Sequence, residues 1–133
     1  MREVNVVYKK FKKNTSRIAI LYPSVYSVMS ASLSIHVLYY YLNELYDEVY
    51  AERFYYDEED VQTGNIRSIE TRTPLKLFDL IIVSMHYEPD IAKLIKMLYY
   101  SGIDPRRDKR RQVIIAGGPP FISNPKPYSD IVD

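Results

Sequence analysis

The sequence has no cysteine and no tryptophan, only four glycines among 133 residues, and a formal net charge of +1. Each shortage removes a class of function. Without cysteine there is no disulfide, no thiolate metal site and no cysteine-held iron–sulfur cluster within these residues, and such usage fits a cytoplasmic protein. The few glycines form no Gly-x-Gly-x-x-Gly for a pyrophosphate, no Gly-Lys-Ser/Thr for a nucleoside triphosphate and no Gly-x-Ser-x-Gly elbow for a hydrolase nucleophile. Lys and Arg number 18 against 17 Asp and Glu, so no whole-domain field draws in nucleic acid. No apolar run nears the ~18 residues of a membrane span. The start, "MREVNVVYKKFKKNTS", is too charged for a secretory signal.

What is present reads as globular. Hydrophobic residues make up 47% and charged residues 26%, in a chain of about one domain's length. Residues 1–16 read as an N-terminal arm, with a short strand expected over Val4–Tyr8. From residue 17 to 133, strand-like and helix-like segments alternate. Ile18–Leu21 is apolar on both faces, as a buried parallel strand is. Ala31, Ile35, Leu38, Leu42 and Leu45 recur at three or four and predict a helix from about Ser30 to Tyr46, capped by Ser27 or Ser30. Val49–Phe54 is the second strand, and "IRSIET" is expected as a short extra one. Leu80–Val83 is the third strand. The helix after it opens at Pro89, carries Ile91, Leu94, Ile95 and Leu98 on one stripe, and stops at Gly102. Val113–Ala116 is the fourth strand. A short helix is expected near Pro125–Ser129, and Ile131–Asp133 reads as the first half of a fifth strand, cut midway, as in a piece of a longer protein.

This alternation predicts a doubly wound, flavodoxin-like α/β fold with a parallel sheet in the order 2-1-3-4-5. In that order the chain reverses direction between strands one and three, where such folds bind ligands. The loop from Pro23 to Met29 and the loop from Ser84 to Glu88 meet there, with Gly117 and Gly118 ending the strand alongside.

Chemistry-bearing residues at that edge are few. Ser84 ends a buried strand and can turn its hydroxyl into the crevice. Gly117 and Gly118 either let a planar group lie on the main chain or simply turn the chain out of the sheet. His86 is open to a ligand contact, a proton donor or a loop-stabilising role. Glu88 either caps the following helix or meets a polar group. His36 lies beside the helical stripe, and two scattered histidines make no zinc site, so no metal ligands and no catalytic set are assigned. Lys9, Lys10, Lys12 and Lys13, and the loop of Arg106, Arg107, Lys109, Arg110 and Arg111, are open to two readings, a solvated tail and loop or a phosphate- or RNA-binding patch, the loop being also a natural contact for RNA or protein in a scaffold. The run Tyr39, Tyr40, Tyr41 lies on a helix and points three ways, so it builds no stacking platform.

Several segments resemble, in order and spacing, the N-terminal domain of a family of radical S-adenosylmethionine proteins with a cobalamin-binding-type domain. They are "YPSVYSVMSASLSIHVLYYYLNE", "VYAERFYY", "SIETRTPLKLFDLIIVSMHYE", "LYYSGI" and "IIAGGPPFISNPKPYSDIVD", within residues 17–133. Asn43-Glu44, Ala51-Glu52-Arg53-Phe54 and Ala116-Gly117-Gly118-Pro119 carry the match. The resemblance implies a downstream domain whose Cys-x-x-x-Cys-x-x-Cys holds an iron–sulfur cluster and cleaves S-adenosylmethionine. Cobalamin domains of this type slot the cofactor's nucleotide tail between strands one and three, against a serine after strand three and a Gly-Gly after strand four. Ser84, Gly117 and Gly118 match those places. Their Asp-x-His-x-x-Gly, or Asp-x-Tyr-x-x-Gly, matches Ser24 to Met29, with Tyr26 kept, Ser24 in place of the acid and Met29 in place of the glycine. The resemblance therefore implies a corrinoid held without a histidine ligand, lined by Ser24, Tyr26, Ser84, His86, Glu88, Gly117 and Gly118. The alternative is a scaffold or substrate-docking domain of the same enzyme class that has lost the ligand.

Overall fold

The computed structural model describes residues 3, 6–10, 12 and 15–133. Four strands, β1 (Ser16–Tyr22), β2 (Val49–Tyr55), β3 (Leu80–Ser84) and β4 (Val113–Gly117), form one all-parallel sheet in the order β2-β1-β3-β4. Ile18 stands opposite Ala51 on one side and Leu80 on the other, and Leu80 opposite Val113. Runs such as "RIAILY" and "LIIVS" form strands because β-branched and apolar side chains pack on both faces of a pleated ribbon. The order is the one the sequence predicts, as far as the fourth strand.

Two cores flank the sheet. On one face Ala19, Leu21, Ile81, Val83 and Ile114 pack against α3 (Glu58–Thr63), α4 (Ile91–Tyr100) and α5 (Pro119–Ser123) through Val61, Leu94, Met97, Leu98 and Phe121. On the other, Ile20, Tyr22 and Ala51 pack against Met29 of α1 (Tyr26–Ser30) and Ile35 and Tyr39 of α2 (Leu33–Leu45). Asn43 fastens α2 to β2 by bonding both the N–H and the carbonyl of Ala51, at 2.9 and 3.0 Å. That is the local reason for an asparagine on a buried helical face.

Four expectations need correction, and α3 is an element that no expectation covers. The helix begins at Leu33, and Ser32, not Ser27 or Ser30, is its N-cap residue, without a side-chain cap bond. The loop expected over Pro23 to Met29 winds into α1, because Met29 sinks fully into the core and draws the chain into a turn. The acidic stretch after β2 contains α3, whose single buried residue, Val61, leaves no apolar period to read. Asp57 starts that helix by accepting from the Asp60 N–H at 3.0 Å, and Gly64 ends it at φ 70°. The "IRSIET" segment makes only one antiparallel bridge, Arg67 to Pro74. Finally, Ile131–Asp133 is no strand, because the Tyr128 carbonyl accepts from both the Ile131 and Val132 N–H groups and keeps the chain coiled.

The strand expected at Val4–Tyr8 falls partly outside the described residues, and Val6–Tyr8 is not in the sheet. The described part of the arm is fastened instead. Val7 N–H donates to the Tyr39 hydroxyl at 2.8 Å, and the Lys9 ammonium donates to the carbonyls of Tyr46 and Val49.

Candidate functional site

The carboxyl edge of β1 and β3 holds a compact polar cluster. Ser84 is the last residue of β3, opposite Gly117 of β4. Its hydroxyl lies 3.0 Å from that of Ser34 and 3.2 Å from His86 Nε2, while Ser34 Oγ lies 3.2 Å from the same nitrogen. Ser32 Oγ is a further 2.9 Å from Ser34 Oγ. The His86 ring stacks on Tyr22, with centroids 5.9 Å apart and planes at 27°. Ser84 is buried, whereas His86 is exposed at the mouth. The start of α2 thus meets the end of β3 through three mutually bonded polar groups. Ser34 Oγ has three partners, which fills the capacity of one hydroxyl, one donor and two acceptor sites.

The two glycines behave differently. Gly118 sits at φ +117°, and a Cβ there would lie 1.9 Å from the Met85 carbonyl oxygen. The loops after β3 and β4 therefore touch main chain to main chain, and the Met85 N–H donates to the Gly117 carbonyl at 3.0 Å. A Cβ on Gly117 would meet nothing within 4 Å, so its face is open.

The remaining residues of the predicted set lie apart from this cluster. Tyr26 reaches toward β2: its hydroxyl donates to Glu3, its ring meets Tyr55 edge-on at 5.3 Å, and that bond helps hold the phenol up at about 12. Together with Ile69 and Arg72 these residues line a recess of ≈ 260 Å³. Ser24 is buried and structural, with its N–H on the Tyr22 carbonyl and its own carbonyl accepting from Tyr56 N–H, both at 2.8 Å. Glu88 turns away toward Tyr128, whose phenol is raised first by burial and then by that carboxylate. His36 bonds the Ser30 carbonyl at 2.6 Å. Ser84, His86 and Gly117 are thus brought together; Tyr26, Ser24 and Glu88 are not. Ser34 has no signature in the sequence, because a serine early in a helix carries no signal until the fold sets it against β3.

A second polar assembly lies on β2. Glu70 accepts from Arg53 Nε at 2.7 Å and from its main-chain N–H at 2.8 Å, and Glu3 takes the other end of the guanidinium. Arg53 also lies 4.2 Å from the Tyr39 ring centroid. Burial is the largest single influence on its pKa and works to lower it, but Glu70, with Tyr39 and Glu3, together outweigh it and the group is raised. On the other face of β2, the fully buried Glu52 accepts from Ser68 and Thr71. The motif residues Glu52 and Arg53 therefore lock the segment 66–74 along the edge of β2, where Ile69 N–H also pairs with the Arg53 carbonyl at 3.0 Å.

The basic loop is bonded locally. Arg106 chelates Asp104, Arg110 bonds Asp133 at 2.9 Å, and Arg111 pairs with Asp79. Among the described residues no group of three or more His, Cys, Asp or Glu could hold a metal ion, and no helix is long and apolar enough to cross a membrane.

Comparison with known proteins adds a family. The family described as radical SAM proteins, N-terminal, matches residues 34–133. An uncharacterized protein of Methanocaldococcus jannaschii is 26% identical over 121 residues, which cover 91% of this chain and 23% of that protein. The chain thus spans about a quarter of its relative's length. No solved structure matches.

Proposed function

The chain belongs to the N-terminal family of radical SAM proteins, and from that premise we propose that it is a non-catalytic accessory domain presenting its carboxyl edge to an S-adenosylmethionine-cleaving domain of a longer parent. S-Adenosylmethionine and the iron–sulfur cluster belong to that other domain, since this chain has no cysteine to hold a cluster. The domain itself acts as a scaffold or substrate-docking module.

The observation that carries this reading is the closed polar cluster. In a corrinoid-binding domain, Ser84 would face the cofactor's tail. Here its hydroxyl is already bonded by Ser34 and His86. Met29 fills the core where the related motif has glycine, and the Tyr26 hydroxyl is engaged by Glu3. The residues present do not fit a histidine-ligated corrinoid, and no step is assigned through one.

One observation favours a second reading, a corrinoid held without a histidine ligand: the open face of Gly117, next to Ser84 at the switch point. Hydroxocobalamin titration of the 133-residue chain and of its parent, followed by desalting and a visible spectrum, separates the two. Failure of both to retain the chromophore supports the scaffold. Retention at one equivalent, abolished by Ser84→Leu in a folded protein, would replace it with the corrinoid reading.

A further inference from the structure

One face of the sheet is only half covered. A parallel sheet normally buries both faces. Here α2 covers β1 and β2, but β4 exposes Val113 at 47% and Ile115 at 51% on the same face, while Ile114, pointing the other way, is fully buried. Leu80 and Ile82 of β3, in register with Val113 and Ile115, continue the bare strip and are only partly buried. The flank of α2 beside it is apolar too. Ser34 touches Ser84 of β3, so that flank faces the strip. Leu38, Tyr41 and Leu45 follow Ser34 by four, seven and eleven positions and share its side. Tyr41 is 56% and Leu45 60% exposed.

The strip has the dimensions of one helix. Two strands at a spacing of about 4.8 Å span roughly 10 Å, the width of a helix with its side chains. A five-residue strand runs about 17 Å, matched by roughly 11 helical residues. A helix laid there would also sit at the usual 8–10 Å from α2. The edge of β4 is approached by main chain: Asp133 N–H donates to the Ile114 carbonyl at 2.8 Å, and its carboxylate accepts from Ile114 N–H at 2.8 Å. A segment running on from there reaches the bare face by passing over that edge.

We propose that the trough formed by Ile82, Val113 and Ile115 with Tyr41 and Leu45 is the seat of one amphipathic helix from the parent polypeptide beyond Asp133, packed alongside α2. This rests on the accessory-domain reading and on a relative of which this chain spans 23%. The helix presents apolar residues at i, i+3 or i+4 and i+7.

The test is thiol accessibility, made clean by the absence of native cysteine from this chain. Ile115→Cys and, as a control on exposed α4, Tyr99→Cys are introduced into the 133-residue chain and into the full-length parent. Maleimide labelling of each engineered site is read by peptide mass spectrometry. In the short chain both variants label at similar rates. In the parent the Ile115→Cys variant slows at least tenfold and the Tyr99→Cys variant does not. Where Ile115→Cys disturbs folding, Val113→Cys gives the same reading. Equal labelling of Ile115→Cys in both proteins would overturn the proposal. So would protection in the short chain that grows with concentration and accompanies a sedimenting dimer, which assigns the trough to a second copy. A native polypeptide ending at Asp133 would do so as well. The labelling pattern is independent of whether hydroxocobalamin is retained or S-adenosylmethionine is cleaved, so failure here and failure of the functional reading are told apart.

Discussion

The Glu70 carboxylate grips Arg53 twice, with Oε2 on its main-chain N–H at 2.8 Å and Oε1 on its Nε at 2.7 Å. One side chain thus closes the edge of a strand and neutralises a buried cation. β2 is an edge strand, and an unpaired edge invites pairing with another chain. Glu70, with the Ile69 N–H on the Arg53 carbonyl, occupies those main-chain groups. The segments "AERF" and "SIETRT" are in this structure the two halves of one interlock.

Arg53→Leu leaves the Glu70 carboxylate buried without its cation and is expected to cost about 3–5 kcal/mol, whereas Glu70→Leu costs less, because Glu3 still holds the other end of the guanidinium. The double variant costs less than the sum, because the Glu70 carboxylate and the guanidinium leave together and only the less buried Glu3 loses its partner. Urea unfolding of the three variants reads this directly. Additive losses would mean that the pair is not coupled.

The glycines after β4 separate sharply. Gly118→Ala places a methyl 1.9 Å from the Met85 carbonyl oxygen at a φ of +117°, so the two loops are forced apart. A loss of at least about 2–3 kcal/mol is expected, from backbone strain and the broken approach. Gly117→Ala meets nothing within 4 Å and changes stability by less than about 1 kcal/mol. Thermal unfolding of both variants checks the contrast, and equal losses would contradict it.

The Ser34–Ser84–His86 triangle predicts an order of effects. Ser34→Ala removes the hydroxyl that meets Ser32, Ser84 and His86. Ser84→Ala removes one corner but leaves Ser34 bonded to Ser32 and His86. The first is expected to cost about 1–3 kcal/mol and the second about 1 kcal/mol. A larger loss for Ser84→Ala would show that Ser84, not Ser34, is the hub.

Much of the fold was legible because it follows from period and length. Runs such as "IAIL" and "LIIV", short, β-branched and bounded by turn residues, read as buried strands, and the stripe Ile91, Leu94, Ile95 and Leu98 reads as a helix face. What escaped depended on partners distant in sequence. Ser34 gains meaning 50 positions away, at Ser84. Tyr26, which the resemblance sets at the crevice, bonds Glu3 and packs edge-on against Tyr55 on the β2 side. The end at 131–133 reads as a strand because Ile131 and Val132 show no more than apolar character, while the Tyr128 carbonyl decides their backbone.

The basic loop supplies a titration that tests its local pairing. Arg106 donates to Asp104 from its side chain and its main chain, and the side-chain bond is the larger reason that the Asp104 carboxyl is held down at about 2 rather than its ordinary 3.8. The folded value lies below the unfolded one. The contribution to stability is therefore complete above the unfolded pKa and is lost as pH falls from about 4 through about 2. A carboxyl carbon titration by NMR is expected to give Asp104 a midpoint near 2, rising toward the ordinary aspartate range in Arg106→Ala. A midpoint in the ordinary range in the unaltered chain would mean that Arg106 is not held by Asp104 and presents its charge to solvent. That outcome would reopen the loop as a contact for phosphate or RNA. A midpoint near 2 keeps the Arg106 guanidinium committed to its neighbour rather than to a ligand.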